Sequence, residues 1–399
     1  MMLNKLRWSV FLNTKLVYGL YILLAVVAAV KQYLHHSFNN YLIFKYTFWH
    51  LIDLKPLYVN SPLNPYFDCN HYGPAFAMFI APFAVMPDWA GTVLWNIANV
   101  LVLLWGIFSL PIHKNAKIII AYICAHEALT ALFSYQFNIA LTGTILLSFS
   151  YIIKNENFKS AFFIAFGTMV KLYGIVSLAF FFFTKEKVKF IIYGIACLAL
   201  LFFIPMIFSS PEYIFKTYHD WYISLVEKND SNTSLDSFQD ISLMGLVRRV
   251  AHNKAIPNGP MLLGGLAIFL LPYLRISQYK EVTFRLMLLA STLIFTVIFS
   301  TGSESPTYII AFAGIAIWFM LQPEKNWAII SLLVFAFIVT SLSPTDIIPR
   351  DVRYFIRIYS LKALPCAMIW FVIIYQMLTI DFKNNTKMKT ITQPASITE

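Results

Sequence analysis

The chain has 399 residues, of which 59% are hydrophobic and 12% charged, about half the charged share of an ordinary globular domain. That balance excludes a soluble globular protein and a disordered chain. The formal net charge is +11; such a surplus commonly marks nucleic acid or membrane, and here the membrane accounts for it without nucleic acid.

The first apolar run, residues 16–30, follows Lys5, Arg7 and Lys15. No small-residue cleavage site follows it, so it reads as a first transmembrane helix rather than a cleaved leader. Residues 89–112, 128–153, 190–211, 255–274, 286–303, 305–323, 327–345 and 363–380 carry no Asp, Glu, Lys or Arg. Each can cross a hydrocarbon core about 30 Å thick as a helix. The fold class expected is all-α: a polytopic helical membrane protein of about ten to twelve spans. It forms a single integral-membrane domain over residues 1–380, with a tail at 381–399. Aromatic residues reach 17%, which suits interfacial belts.

Lysine and arginine orient the spans. Residues 31–90, 209–260, 301–306 and 344–362 are placed outside, where they hold 12 basic and 12 acidic residues. The remaining connections, the N-terminus and the tail are placed inside, with 17 basic and 6 acidic residues. The whole surplus then lies on the cytoplasmic face, and both termini are cytoplasmic. A bacterial plasma membrane is the expected location.

This parity has a local consequence. Lys154 and Lys159 are inside, and so are Lys185, Lys187 and Lys189. The segment between them must enter and return, which puts Lys171 at the outer apex of a broken helix pair. Lys171 is the lone charge between Ser160 and Thr184. An ammonium at membrane depth is costly unless it lines a cavity or meets an anion. The alternative is a structural lysine paired with an acid such as Glu127. By the same parity, residues 74–87 form a short re-entrant or interfacial element.

Two outer loops exceed ordinary connectors. In the first, 31–73, residues 41–52 read as an aromatic helix lying in the interface. Asp53 follows, then Asp68, His71 and Tyr72. An acid, a histidine and tyrosines beside the membrane are what a catalytic loop needs, though Asp68 also suits a cap and His71 a packed turn. The second, 209–260, carries Gln239, Asp240, Ser242 and the pair Arg248–Arg249, able to clamp a phosphate bidentately or to rest on lipid headgroups. A polar turn, 301–308, offers Glu304 as a general base or as the cap of the following helix. Cys124, Cys197 and Cys366 lie in apolar runs and Cys69 in a loop; no metal spacing or disulfide framework is visible. Asn232-Thr233-Ser234 fits the N-glycosylation pattern, which matters only in a eukaryotic secretory setting.

Taken in order, five stretches resemble the family-87 glycosyltransferases, polyprenyl-phosphate-sugar-dependent enzymes of the C-type superfamily. Asn39-Asn40-Tyr41 through Pro56-Leu57-Tyr58 resembles their first-loop helix. His71-Tyr72-Gly73-Pro74, with Pro82 and Pro87 after it, is similar to their Tyr-Pro-Pro. Tyr135-Gln136-Phe137-Asn138 resembles Gly-Gln-x-Asn, and Lys171-Leu172 their Lys-Pro. The stretch from Gln239 to Arg249, with Ser305-Pro306-Thr307, resembles their later loops. The likeness runs over roughly residues 16–320.

The resemblance implies transfer of a hexose, mannose among them, from a lipid-phosphate carrier to a glycan or glycolipid acceptor at the outer membrane face. It implies a lipid-linked sugar donor and membrane lipids as partners. It also implies a catalytic aspartate at the start of the first-loop helix, where this chain has Asn39-Asn40. Asparagine is no general base, so either Asp68, Glu304 or Asp53 takes the proton, in that order of preference, or transferase activity is lost. Gly73 replaces the first proline and loosens the turn. Asn40, His71, Tyr72, Gln136, Asn138, Lys171, Arg248 and Arg249 are the substrate-binding candidates. No acidic cage for a divalent metal appears, and no cofactor is expected. The rival readings are a lipid-linked-sugar flippase, which would show two related halves, and an inactive scaffold of the same fold.

Overall fold

The computed structural model describes residues 11–235 and 239–389. Lys5, Arg7 and residues 390–399 of the expected tail lie outside them. Every regular element among the described residues is helical, as the composition requires of a chain with no water to satisfy an open sheet edge.

The helices fall into two compact groups. The first joins Tyr18–Ser109 with Leu129–Lys228. It contains most of α1 (Thr14–Leu34), then α2 (Asn39–Ile52), α3 (Phe76–Ala84) and α4 (Asp88–Ser109). After these come α6 (Asn138–Ile153), α7 (Asn157–Val170), a 3₁₀ helix (Leu172–Phe183), α8 (Lys187–Phe203) and most of α9 (Pro211–Asn232). The aromatic segment 41–52 is the helix α2, with Tyr41, Phe44, Phe48 and Leu51 buried along one side. Residues 74–87 give only the nine-residue α3 with Pro82 inside it, about 14 Å of rise and far short of a span.

The second group takes the described parts of Met1–Val17, Leu110–Ala128 and Asn229–Glu399. It holds most of α5 (Lys114–Phe133), then α10 (Leu243–Val250), α11 (Asn258–Leu270), α12 (Val282–Ile298), α13 (Tyr308–Leu321), α14 (Trp327–Ala336), α15 (Arg350–Ile358) and α16 (Ala363–Thr379). Glu127, the alternative partner offered for Lys171, lies here 3.8 Å from Lys362, both side chains buried. Lys362 also donates to Ser305 Oγ at 2.7 Å.

One expectation changes. Residues 128–153 are not one span: the chain turns at Ser134–Phe137, with Tyr135 at φ 52°. That turn is fixed by burial. Tyr135 donates its hydroxyl to Ala29 O at 3.1 Å, and its carbonyl accepts from Trp95 Nε1 at 2.9 Å. Four described helices are long and apolar enough to cross, and a fifth counts if α15 and α16, bent by 59°, form one span. The other apolar runs yield helices of 10–17 residues. Proline marks a break in one helix of each kind: Pro205 carries α8 into a 3₁₀ turn, and Pro272 does the same to α11, because proline cannot supply the next helical N–H.

Candidate active site

The break at Lys171 is a built feature. α7 ends at Val170, Lys171 is extended (φ −146°, ψ 120°), and the chain resumes as the 3₁₀ helix at Leu172. The two arms fold back on each other at Gly167 and Gly174, where a Cβ on Gly174 would lie 2.2 Å from the Gly167 carbonyl carbon. No larger residue allows that approach.

Three segments meet at the lysine. Lys171 Nζ donates to Asn138 Oδ1 at 2.8 Å and lies over the rings of Tyr72 and Tyr173, at 5.4 and 5.1 Å from their centroids. Tyr72 donates to Gln136 Oε1 at 3.0 Å, and its oxygen accepts from Phe137 N at 3.3 Å. Asn138 is the first residue of α6, so the ammonium lies beside a helix N-terminus, whose dipole also favours an anion. The His71-Tyr72-Gly73-Pro74, Gln136-x-Asn138 and Lys171 motifs are thus one cluster.

Gly73 does not loosen this cluster. It carries the tightest contact in it: Gly73 N donates to Val170 O at 3.0 Å, and a Cβ there would lie 2.1 Å from Met169 O. Tyr72 is clamped from behind as well. The Asn70 amide accepts from Tyr72 N and donates to Tyr72 O, both at 3.0 Å, and Tyr58 donates to the same carbonyl at 2.9 Å.

His71 faces α9. Its Nδ1 lies 2.9 Å from Ser224 Oγ, and its carbonyl accepts from Trp221 Nε1 at 3.0 Å. Burial, with the Lys228 charge behind it, holds the imidazole down to about 4 against the opposing charge of Asp68; the ring is neutral near pH 7. Much of the expected loop 209–260 is therefore the 22-residue α9. Ile214, Thr217, Trp221 and Ser224 are buried at helical spacing, a periodicity present in the sequence.

The first-loop asparagines are tied to backbone. Asn39 Nδ2 donates to Phe67 O at 2.9 Å and its Oδ1 accepts from Phe67 N at 3.0 Å. Only an amide can do both; a carboxylate at that position accepts and does not donate. Asn40 Nδ2 donates to Ser134 O at 2.9 Å, at the turn that carries Gln136. Asn39 thus pins Phe67 to the start of α2, one residue before Asp68. Asp68 is exposed, holds φ 76°, and accepts from Cys69 N at 2.8 Å. Asp68, Cys69 and His71 also bring a carboxylate, a thiol and an imidazole within 4.8 Å of one another.

The remaining candidates have partners of their own. Asp53 pairs with Lys55 at 2.8 Å, both exposed. In the second group Glu304 caps the turn into α13 in a reciprocal box with Thr307, the structural alternative weighed from the sequence. The side chains of Arg248 and Asp240 form a buried ion pair, each 2% exposed. Arg248 also donates to Ile256 O and Asn258, and Arg249 donates to Asp240 O at 3.0 Å and Gln239 O at 2.9 Å. Arg248 and Arg249 thus hold their own loop together, with Ser242 capping α10 through Gly245 N at 3.1 Å.

A search of curated proteins found no match to the chain. The sequence model of glycosyltransferase family 87 matches residues 70–301. That span, more than half of the chain, takes in His71, Tyr72, Gln136, Asn138 and Lys171 and begins just after Asp68. An apolar, all-helical protein matched over this length belongs to glycosyltransferase family 87.

Proposed function

We propose that this membrane glycosyltransferase moves a hexose, with mannose the first choice, from a polyprenyl-phosphate carrier to a glycan or glycolipid acceptor. The transfer takes place at the outer face of a bacterial plasma membrane, with both termini cytoplasmic. The observation that carries the reading is the Lys171 cluster: one cation held by Asn138 and two tyrosine rings at a broken helix, beside the N-terminus of α6. Irregular backbone at membrane depth is tolerated where it lines a cavity. A cation beside a helix N-terminus is complementary to a phosphate that gains charge as it leaves.

The chemistry needs few groups. The acceptor hydroxyl attacks the anomeric carbon, its proton goes to a carboxylate, and the bond from that carbon to the phosphate oxygen breaks. The phosphate keeps the electron pair and Lys171 neutralises it. Such a leaving group needs no acid to protonate it. Asp68 is the assigned base, because Asn39 fastens its loop to the place where the family's aspartate is expected. Tyr72, His71, Gln136 and Asn40 are assigned to holding the substrate.

Membranes containing the protein should transfer label from a radiolabelled polyprenyl-phosphate hexose. Absence of transfer with every such donor, together with activity created by Asn40→Asp, would establish the inactive-scaffold reading instead.

A further inference from the structure

We propose that Asp68, Cys69 and His71 form a binding site for a borderline-soft divalent cation of the zinc class. The site rests on three observations.

The first is ligand type and spacing. The carboxylate, thiol and imidazole ligand atoms lie within 4.8 Å of one another, and Cys69 Sγ is 3.9 Å from His71 Nε2. Bonds of about 2.3 Å from sulfur and 2.0 Å from nitrogen to one tetrahedral zinc put those two atoms roughly 3.5 Å apart. The thiol and imidazole have to close by a few tenths of an ångström, and the Asp68 carboxylate, which is exposed and starts within 4.8 Å of both, has to move in to join them.

The second is the orientation of the imidazole. Its Nδ1 is held by Ser224 Oγ at 2.9 Å, and Ser224 is buried. Nε2 is the nitrogen turned to the thiol. A metal-binding histidine is arranged in this way, with the far nitrogen fixed by a hydrogen bond.

The third is the stiffness of the support. The turn is tied at Phe67 by Asn39 and at His71 O by Trp221. Three protein ligands leave a fourth position open. The charges of Lys228 and Lys171 act on the cluster, with that of Glu227 opposing them. This balance suits reversible occupation rather than a permanent structural metal. On binding, the thiol proton goes to solvent and the thiolate joins the metal.

Occupation has a consequence that rests on the proposed function. A carboxylate bound to the metal no longer takes the acceptor's proton, so the metal switches transfer off.

The test uses full-length protein in detergent titrated with Co²⁺. Cys124, Cys197 and Cys366 are buried, so a thiolate-to-cobalt charge-transfer band reports Cys69. The band should saturate at one equivalent and be displaced by Zn²⁺. It should vanish in Cys69→Ser and His71→Ala and persist in Cys124→Ser. Ser224→Ala, which removes only the orienting bond, should weaken binding about tenfold or more. Wild-type protein without the band, or a band that survives Cys69→Ser, overturns the site. In the transfer assay Zn²⁺ should inhibit wild type and spare Cys69→Ser at equal basal rate; metal binding with undiminished transfer overturns the switch. The cobalt band needs no activity, so it stands or falls independently of the proposed reaction.

Discussion

Gly73→Ala is a one-carbon change with a consequence that can be worked out. The new Cβ would lie 2.1 Å from Met169 O, a separation that must grow by roughly 1 Å to reach the closest contact carbon and oxygen tolerate. The neighbour is backbone and cannot rotate away. The Gly73 N to Val170 O bond at 3.0 Å therefore lengthens or breaks. Tyr72 and Lys171 are the next residues on either side of that contact, so their spacing changes with it. Overpacking of this kind costs about 1–3 kcal/mol of stability, and a shift near 1 Å at a reacting centre costs on the order of 10²-fold in rate. Gly73→Pro restores the family's residue but removes the N–H and adds a ring on the same side, so it should do worse than alanine. The assay is transfer of radiolabelled sugar at matched amounts of monodisperse protein. Full activity in Gly73→Pro would refute the reasoning, because the family pattern rather than the packing would then govern this turn.

Other substitutions separate function from support. Lys171→Ala should lower transfer about 10²–10³-fold, the usual loss when a group stabilising developing negative charge is removed, while Lys171→Arg keeps part of it as a charge of different shape; an unchanged rate in Lys171→Ala leaves a structural lysine. Asp240→Ala strands two arginines that are buried beside it, and removing one partner of a buried pair costs about 3–5 kcal/mol. Its melting temperature and yield should fall sharply, and wild-type stability would show that Arg248 and Arg249 are not a brace. Ser61→Cys and Ser234→Cys should react with an impermeant thiol reagent in intact cells; reaction only after permeabilisation would invert the topology and remove the proposed outer site.

Part of this arrangement is legible in the sequence because charge is scarce. With 12% charged residues, each lysine constrains the path, and parity alone demands the reversal found at Lys171. The aromatic helix α2 and the shortness of α3 are read from local pattern in the same way. The rest depends on distant partners. The turn at Tyr135 exists because Ala29 and Trp95 satisfy it, and nothing nearby in sequence announces that. Arg248 and Arg249 look available until Asp240, Asn258 and Gln239 are placed around them. Asn39 and Asn40 look like lost catalysis when seen alone. Beside Phe67 and Ser134 they are the ties that bring Asp68 and Gln136 to the start of α2. Gly73 carries no visible signal beyond its own smallness.

The claim on which the account turns is that Asp68 takes the acceptor's proton at the site built around Lys171. Its most direct measurement is the transfer rate of Asp68→Asn against wild type at saturating polyprenyl-phosphate sugar, with donor binding measured on the same preparations. Loss of a required general base lowers the rate about 10²–10⁴-fold, so Asp68→Asn should fall in that range with donor affinity unchanged. Asp68→Asn protein that transfers sugar at the wild-type rate would contradict it.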